Sequence, residues 1–356
     1  MTELMEEIVQ QPAVLAGVRK YYASPGAIPF KGLRGLVNRW PPLVIFTGMG
    51  SSLFASYPAQ AYLTSLGIRA LTWETAELLH HHLKIIGPDT LLVVISQSGE
   101  TIEVTKLLQA LPQKVGVLAV VNVEGSSLAR RADLMLPMMA GSQSAVSTKT
   151  YMCSVAALMY LALAIAQQDH HAVNHALRQA IEAQERILER AQEVIRSTVE
   201  FFNHPTYTAL MARGADLATV YQGALLLKEI VRLAAEPISA AQFRHGPVEV
   251  ISTAHRYIIV ARKEYLQPRG KTATTAKFLL GLADEIRSHG GRVLLFTDMP
   301  ADEALNVRIV RVEGARLGLG TLVDSLHIQL LAHGLAVRAG LEPGKLWIAE
   351  DVTRVE

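Results

Sequence analysis

The run Leu91-Leu-Val-Val-Ile95, followed at once by Ser96-Gln-Ser-Gly-Glu-Thr101, restricts this chain more than any other stretch. Five consecutive apolar residues without polar alternation predict a strand covered on both faces, as in a parallel sheet layered by helices. The run stops at Ser96, Gln97, Ser98 and Thr101, so hydroxyl and amide groups collect at the strand's carboxyl end. Gly99 among them is able to take a positive φ and let a ligand approach the backbone. Apolar residues at Ile102, Val104, Leu107, Leu108 and Leu111 then predict a helix from Glu100 onward. A helix start offers unpaired N–H groups and a positive dipole end, and hydroxyls gathered there suit a phosphate. A serine that caps its own helix is the plainer reading of any one position. The density of donors favours the ligand site.

The chain has 356 residues, of which 50% are hydrophobic and 19% charged, so it is a folded protein with room for two domains. Lys and Arg number 34 against 32 Asp and Glu, and no long basic block occurs, so nothing calls for nucleic acid. The single cysteine, Cys153, excludes an intrachain disulfide and points to a reducing compartment and a buried apolar role. The acidic start Met1-Thr-Glu-Leu-Met-Glu-Glu7 has no apolar signal core, so a cytoplasmic location is expected. The apolar stretch Val155 to Ala166 falls short of the roughly 20 residues a membrane span requires and reads as a buried core helix.

Along the chain a helix is expected to about Tyr22, interrupted around Gln10-Gln-Pro12. Strands are expected at Leu43–Thr47, Ile68–Trp73, Leu91–Ile95, Val115–Asn122 and Leu134–Leu136. A helix over Leu53–Leu66 and a short one starting near Thr75 fit between them, an alternation that predicts a doubly wound α/β layer. Helices over Ser147–Ala166 and His175–Phe201 follow. A second cycle then begins, with strands at Thr206–Ala212, Arg256–Ala261, Arg292–Thr297 and Val307–Val312 and a long helix over Ala218–Ala235. Val115–Asn122 matches Arg292–Asp298 in place, which predicts an internal duplication of one α/β unit. The second copy has Val260-Ala-Arg-Lys-Glu-Tyr265 where the first has its serine-rich turn, so its phosphate site is read as lost or repurposed.

Gly50-Ser-Ser52, Ser96 to Thr101, Val146-Ser-Thr-Lys149, Gly223-Ala-Leu-Leu-Leu-Lys-Glu229 and Phe243-Arg-His-Gly-Pro247 together carry a family resemblance. In this order and spacing the chain resembles a protein with two tandem sugar-isomerase (SIS) domains, similar to the isomerase half of glutamine:fructose-6-phosphate aminotransferase and to fructosamine-6-phosphate deglycases. The resemblance implies an α/β fold with two doubly wound, mainly parallel sheets flanked by helices. Its expected divisions are a helical segment 1–30, SIS domains 31–170 and 201–342, a connector 171–200 and a tail 343–356 closing on the active site. It implies phosphate contacts from Ser96, Gln97, Ser98 and Thr101. Ser52 and Ser147 would face the sugar, with Gly50 and Ser51 in the same phosphosugar-binding set; an N-cap for the following helix is the plainer role for Ser147-Thr148. Glu229 is implied as the base moving a proton between C1 and C2, and His245 as the ring opener, reaching its sugar from the neighbouring subunit of a homodimer. Their plainer readings are a helix-surface glutamate beside Lys228 and a core histidine bonded to backbone at the Gly246-Pro247 turn. Leu225 and Leu226, one helical turn before Glu229, supply apolar neighbours that disfavour its charge. No cofactor and no metal are implied.

Departures from the family are equally informative. The sequence starts at the isomerase region, so glutamine is not expected as an ammonia source. The tail Pro343-Gly-Lys-Leu-Trp-Ile-Ala-Glu-Asp-Val-Thr353 has Glu350 where the family carries a sugar-linking lysine, and Lys345 comes several residues early. Leu226 replaces a second lysine, and Gln222 and Gln242 replace glutamates. A substrate already carrying nitrogen on C1 does not need that lysine, so the first expectation is a deglycase acting on a ketosamine 6-phosphate. An amino-sugar-6-phosphate deaminase or isomerase is the second, and a phosphosugar-binding regulator without catalysis is the reading of another class. The adjacent His80-His-His82 cannot all face one metal from a helix, and an exposed or pocket-rim role is expected.

Overall fold

Apolar runs without alternation become the central strands of two parallel sheets. A computed structural model describes residues 1–23, 30, 32–112, 114–144, 146–203, 205–263, 272–312 and 316–348. The first sheet contains β1 (Leu43–Gly48), β2 (Ala70–Glu74), β3 (Thr90–Ser96), β4 (Gly116–Val121) and β5 (Leu134–Pro137) in the order β2-β1-β3-β4-β5. The second contains β6 (Thr208–Ala212), β7 (Ala235–Ser239), β8 (Arg256–Ala261), β9 (Arg292–Thr297) and β10 (Val307–Arg311) in the order β10-β9-β8-β6-β7. Read from its other edge this is the same order, so β8 holds the place of β3 and β9 that of β4. The expected match of Val115–Asn122 with Arg292–Asp298 falls on β4 and β9. Every residue of β3 is buried, as its unbroken apolar run requires.

The chain forms two compact units, one of Gln10–Arg178 with Ile348 and one of Met1–Val9 with Gln179–Trp347. The helices of the first half are α1 (Glu3–Ala23), α2 (Ser51–Phe54), α3 (Tyr57–Ser65), α4 (Thr75–Glu77), α5 (Ile102–Ala110), α6 (Ser127–Arg131), α7 (Lys149–Ile165) and α8 (His171–Glu189). The second half has α9 (Ala191–Phe202), α10 (Leu217–Val231), α11 (Ala240–Phe243), α12 (Thr272–Ser288) and α13 (Gly320–Arg338). In the first unit Ile45, Leu92, Val94 and Val117 pack with Val104 and Leu107 of α5. In the second, Met211, Ile259 and Leu295 pack with Phe243 of α11 and Leu282 and Ile286 of α12. Cys153 is fully buried in α7 and its thiol is pushed up to about 12 by that burial, which keeps it unreactive. Among the described residues no helix is long and apolar enough to cross a membrane.

Four expectations are corrected. α1 runs unbroken through Pro12, because burial of Leu4, Ile8, Leu15, Val18 and Tyr22 along it offsets the roughly 3 kcal/mol that an interior proline costs. The helix expected over Leu53–Leu66 is two helices, α2 and α3. The Ser56 hydroxyl donates to the Leu53 carbonyl at 2.6 Å, and Pro58 cannot continue a helix through the carbonyl of Phe54. The helix expected over His175–Phe201 breaks at Arg190, whose ψ of 22° leaves the helical region between α8 and α9. The long helix expected to Ala235 stops at Val231: Arg232 takes a left-handed conformation at φ 58°, and Ala235 instead begins the edge strand β7.

Candidate active site

β1 and β3 are parallel neighbours, with Thr47 opposite Val94, so the turns after both strands emerge at one carboxyl edge of the sheet, where ligands of open α/β sheets bind. After β3 the buried Ser96 organises the turn. Its Oγ accepts the Gly99 N–H at 3.0 Å and lies 3.3 Å from the Thr101 hydroxyl. The Gln97 carbonyl accepts the Asn122 N–H at 3.1 Å, which ties the turn to the end of β4. Ser98 Oγ accepts the Glu100 N–H at 3.2 Å. Gly99 has φ 67°, and a Cβ there would fall 2.2 Å from Ser126 Oγ, so only glycine fits. Thr101 stands at the N-cap of α5, yet its side chain makes no capping hydrogen bond. The first N–H groups of α5 therefore lack the Thr101 side-chain cap that the plainer reading supplies. By contrast the start of α6 is taken: the Glu100 carboxylate accepts the Ser127 N–H at 2.7 Å, and this bond holds Glu100 below the usual carboxylate range. After β1, Gly50 opens α2 with φ 50° and ψ −125°, followed by buried Ser51 and half-buried Ser52.

At the start of α7 the Thr148 side chain makes no capping hydrogen bond. Gln143 Oε1 accepts the N–H groups of Thr148 at 3.2 Å and Thr150 at 2.8 Å, so a glutamine from the preceding loop caps this helix. The half-buried Ser147 hydroxyl lies 2.9 Å from that of Thr150. No cap pattern in the sequence points to Gln143, because it stands five residues before Thr148. Lys149 is buried and donates from Nζ to Gln10 Oε1 at 2.7 Å and to the Ser142 carbonyl at 2.6 Å, a structural role.

If the turn after β3 is the phosphate site, Ser98→Ala with Thr101→Ala weakens sugar-phosphate binding by roughly 2 to 4 kcal/mol, since each charge-assisted hydrogen bond contributes about 1.5 to 3. Calorimetry giving wild-type affinity, with the fold intact, moves the site elsewhere.

Glu229 and His245 lie in the second unit, on α10 and just after α11. α10 sits close to β6 and α13 because Gly223 has no side chain: a Cβ there would fall 2.8 Å from Ile328 Cδ1 and 3.0 Å from Leu210 Cδ2. Near the end of this helix, Glu229 Oε2 is buried, and no hydrogen-bond partner for it occurs among the described residues. Desolvation pushes the carboxyl up to about 7, with buried Leu226 and half-buried Leu225 one turn before it. Lys228 points out to solvent, so Glu229 is not the surface glutamate of the plainer reading. His245 is exposed, with its backbone N–H donating to the Gln242 carbonyl at 3.0 Å, and this rules out the core-histidine alternative. Two neighbours fix its loop. Phe243 is buried in the core, and Ser239 Oγ caps α11 by accepting the Gln242 N–H at 3.2 Å.

In the second sheet Ala261 pairs with Thr297 as Ser96 pairs with Val121, which puts Arg262 at the place of Gln97. Arg262 is buried and donates from Nε to Asp324 Oδ2 at 3.0 Å and from Nη2 to Asp324 Oδ1, with Asp216 Oδ1 at 3.9 Å. An internal carboxylate on α13 thus meets the residue at this strand end. Glu264 and Tyr265 of the same segment, and Glu350 of the tail, lie outside the described residues. His80 and His81 are exposed, and the His82 ring stacks on Trp73 with centroids 4.6 Å apart. No group of three or more metal-ligating side chains occurs among the described residues.

Residues 42–164 match the SIS domain family. Over 350 residues the chain is 26% identical to a glutamine:fructose-6-phosphate aminotransferase (isomerizing) of Bartonella henselae, covering 95% of this chain and 56% of that protein. The chain thus spans about half the length of the curated relatives it matches. Its fold superposes on the C-terminal domain of glucosamine-fructose-6-phosphate aminotransferase from Francisella tularensis with a TM-score of 0.82 at 21% identity, covering 96% of this chain and 97% of that one. It also superposes on a glucosamine-6-phosphate deaminase from Thermotoga maritima with a TM-score of 0.75 at 19% identity, covering 99% of each chain. With residues 42–164 matching the SIS domain family and similarity running through both of its sheets, the chain resembles the isomerase half of glutamine:fructose-6-phosphate aminotransferase.

Proposed function

We propose that this protein is a phosphosugar enzyme that cleaves a ketosamine 6-phosphate into a sugar 6-phosphate and a free amine, with Glu229 as the proton-transfer base. The observation that carries the reading is the buried, unpartnered Glu229 Oε2 on a carboxyl pushed up to about 7. A base that must take a proton and return it works best with a pKa near the working pH. A glutamate that only packs would gain nothing from a buried oxygen without a donor, whereas a reacting C–H gives that oxygen its task. This also weighs against a regulator that binds phosphosugar without turning it over.

The steps balance without a cofactor. Glu229 takes a proton from C1 of the open-chain ketosamine while O2 gains one from solvent, giving an enaminol, and returns its proton to C2 as nitrogen gives one up to solvent, which leaves the double bond between C1 and nitrogen. Water then adds to that imine, and the amine leaves, so one water is consumed for each sugar 6-phosphate released. Ser96, Gln97, Ser98, Thr101, Ser52 and Ser147 serve the phosphosugar, and the exposed His245 opens its ring in a neighbouring subunit of a homodimer. The choice of a ketosamine rests on Glu350 standing in place of the family's lysine. The test is an assay for released amine over a set of ketosamine 6-phosphates and glucosamine 6-phosphate. Amine from the ketosamines supports the proposal. Amine from glucosamine 6-phosphate alone converts it to a deaminase, and no amine and no isomerised sugar from any of them removes the enzyme reading.

A further inference from the structure

The second unit holds a cavity of about 350 Å³ that contains none of the residues discussed above as catalytic or phosphosugar-binding. This volume lies at the lower end of the roughly 300 to 1,000 Å³ of small-molecule sites. Its walls come from three places: the α8–α9 junction with Arg186 and Arg190, the last residue of edge strand β10, Arg311, and α13 with Val323 and His327. The break at Arg190 that interrupts the predicted long helix is what forms this corner. Arg186 lies in the last turn of α8 and Arg190 at the break after it, and Arg311 is anchored by donating to the Met299 carbonyl at 2.6 Å and to the Ala301 carbonyl. Glu189 also lines the cavity, so three guanidiniums face one carboxylate and the walls carry a net charge of about +2.

His327 supplies the independent sign of a ligand. It is 6% exposed, its ring packs edge-on to Phe296, and its Nδ1 is buried with no hydrogen-bond partner among the described residues. His327 lines the cavity with this nitrogen beneath the surface, so a turn of the ring would bring the unsatisfied nitrogen to a ligand hydroxyl. Burial holds the ring neutral, pushing it down to about 4, with Arg262 and Arg190 acting in the same direction. It therefore offers a neutral hydrogen-bonding nitrogen rather than a fourth cation. The apolar Val194 and Val323 suit the carbon skeleton between a charged end and a hydroxyl.

We propose that this cavity is a second ligand site, for a small polyol phosphate whose phosphate is held by Arg186, Arg190 and Arg311 and whose hydroxyl meets His327. Guanidiniums match phosphate oxygens in paired hydrogen bonds, which a dianion rewards more than a single carboxylate does. The test uses the full chain carrying Ser98→Ala and Thr101→Ala, so that a failure of the turn after β3 as a phosphate site does not bear on the result. Calorimetry with glucose 6-phosphate, inorganic phosphate and glucose is expected to give saturable binding of glucose 6-phosphate, at least tenfold tighter than inorganic phosphate, and none of glucose. Adding Arg186→Ala and Arg190→Ala, both on exposed side chains, weakens that binding at least tenfold, and the His327 ring nitrogen resonances move on titration only when the arginines are present. Absence of saturable binding, equal affinity for inorganic phosphate, indifference to the arginine pair or unmoved His327 resonances would each overturn the proposal.

Discussion

Glu229→Gln is expected to lower turnover by at least roughly 10²- to 10⁴-fold on every substrate while leaving substrate binding nearly unchanged. Glutamine keeps the shape of the side chain on α10 but cannot accept a proton. His245→Ala acts on an earlier step and is hurt less on a substrate already populated as the open chain. The decisive measurement is solvent deuterium entering C1 or C2 of the product. If Glu229→Gln incorporates deuterium at the wild-type rate, Glu229 is not the base and α10 has only a packing role. Mixing Glu229→Gln with His245→Ala subunits restores part of the activity if the two residues serve one sugar from different protomers.

The pH behaviour has a definite sign. With a carboxyl near 7, the base form accumulates as pH rises through that value, so kcat/KM rises there in wild type. Stability runs the other way. The folded-state value is raised above the ordinary 4.5, so the stability this group contributes is complete below about 4.5 and lost as pH rises through about 7. Glu229→Gln removes that loss and stabilises the protein at pH 8 by up to about 3 kcal/mol, a gain that vanishes at pH 4. Equal denaturation midpoints for wild type and variant at pH 8 mean that the carboxyl is not desolvated.

The strands were readable because five or six consecutive apolar residues have few other uses; Arg256–Ala261 and Arg292–Thr297 fall where the sequence puts them. β7 was not readable. Ala235-Glu-Pro-Ile-Ser239 is a half-exposed edge strand whose glutamate and proline break any apolar run, and the helix before it ends at Arg232, which carries no glycine signal. The break at Arg190 was hidden for a related reason: the three-and-four spacing of apolar residues continues across it, and only packing decides that α8 and α9 part there. At the candidate site the hydroxyl-rich turn was legible from its composition. Its construction was not, because the fit of Gly99 against Ser126 and the bond between Ser127 and Glu100 join residues more than twenty-five apart. The perturbed carboxyl of Glu229 likewise depends on neighbours brought by the fold, as does the cavity at the α8–α9 corner.

The largest stability effect outside the candidate sites is expected at the end of β8. Arg262 is about 5% exposed and Asp324 fully buried, and the two meet through paired hydrogen bonds, with Arg262 Nη2 also donating to the Gly320 carbonyl at 3.3 Å. Burial alone pushes the guanidinium down, while the charges of Asp324 and Asp216 more than restore it, so Arg262 remains a cation inside the fold. Asp324→Asn removes the bidentate carboxylate and leaves that cation with the more distant charges of Asp216, whose Oδ1 is 3.9 Å away, and Asp298, so a loss of about 3 to 5 kcal/mol is expected. Exchanging both partners for apolar residues, Arg262→Met with Asp324→Leu, avoids the stranded charge and recovers most of the loss. Urea denaturation of the two variants separates the cases. If the double variant is as unstable as Asp324→Asn, the pair does more than neutralise itself, and the positive charge of Arg262 is required at the end of β8.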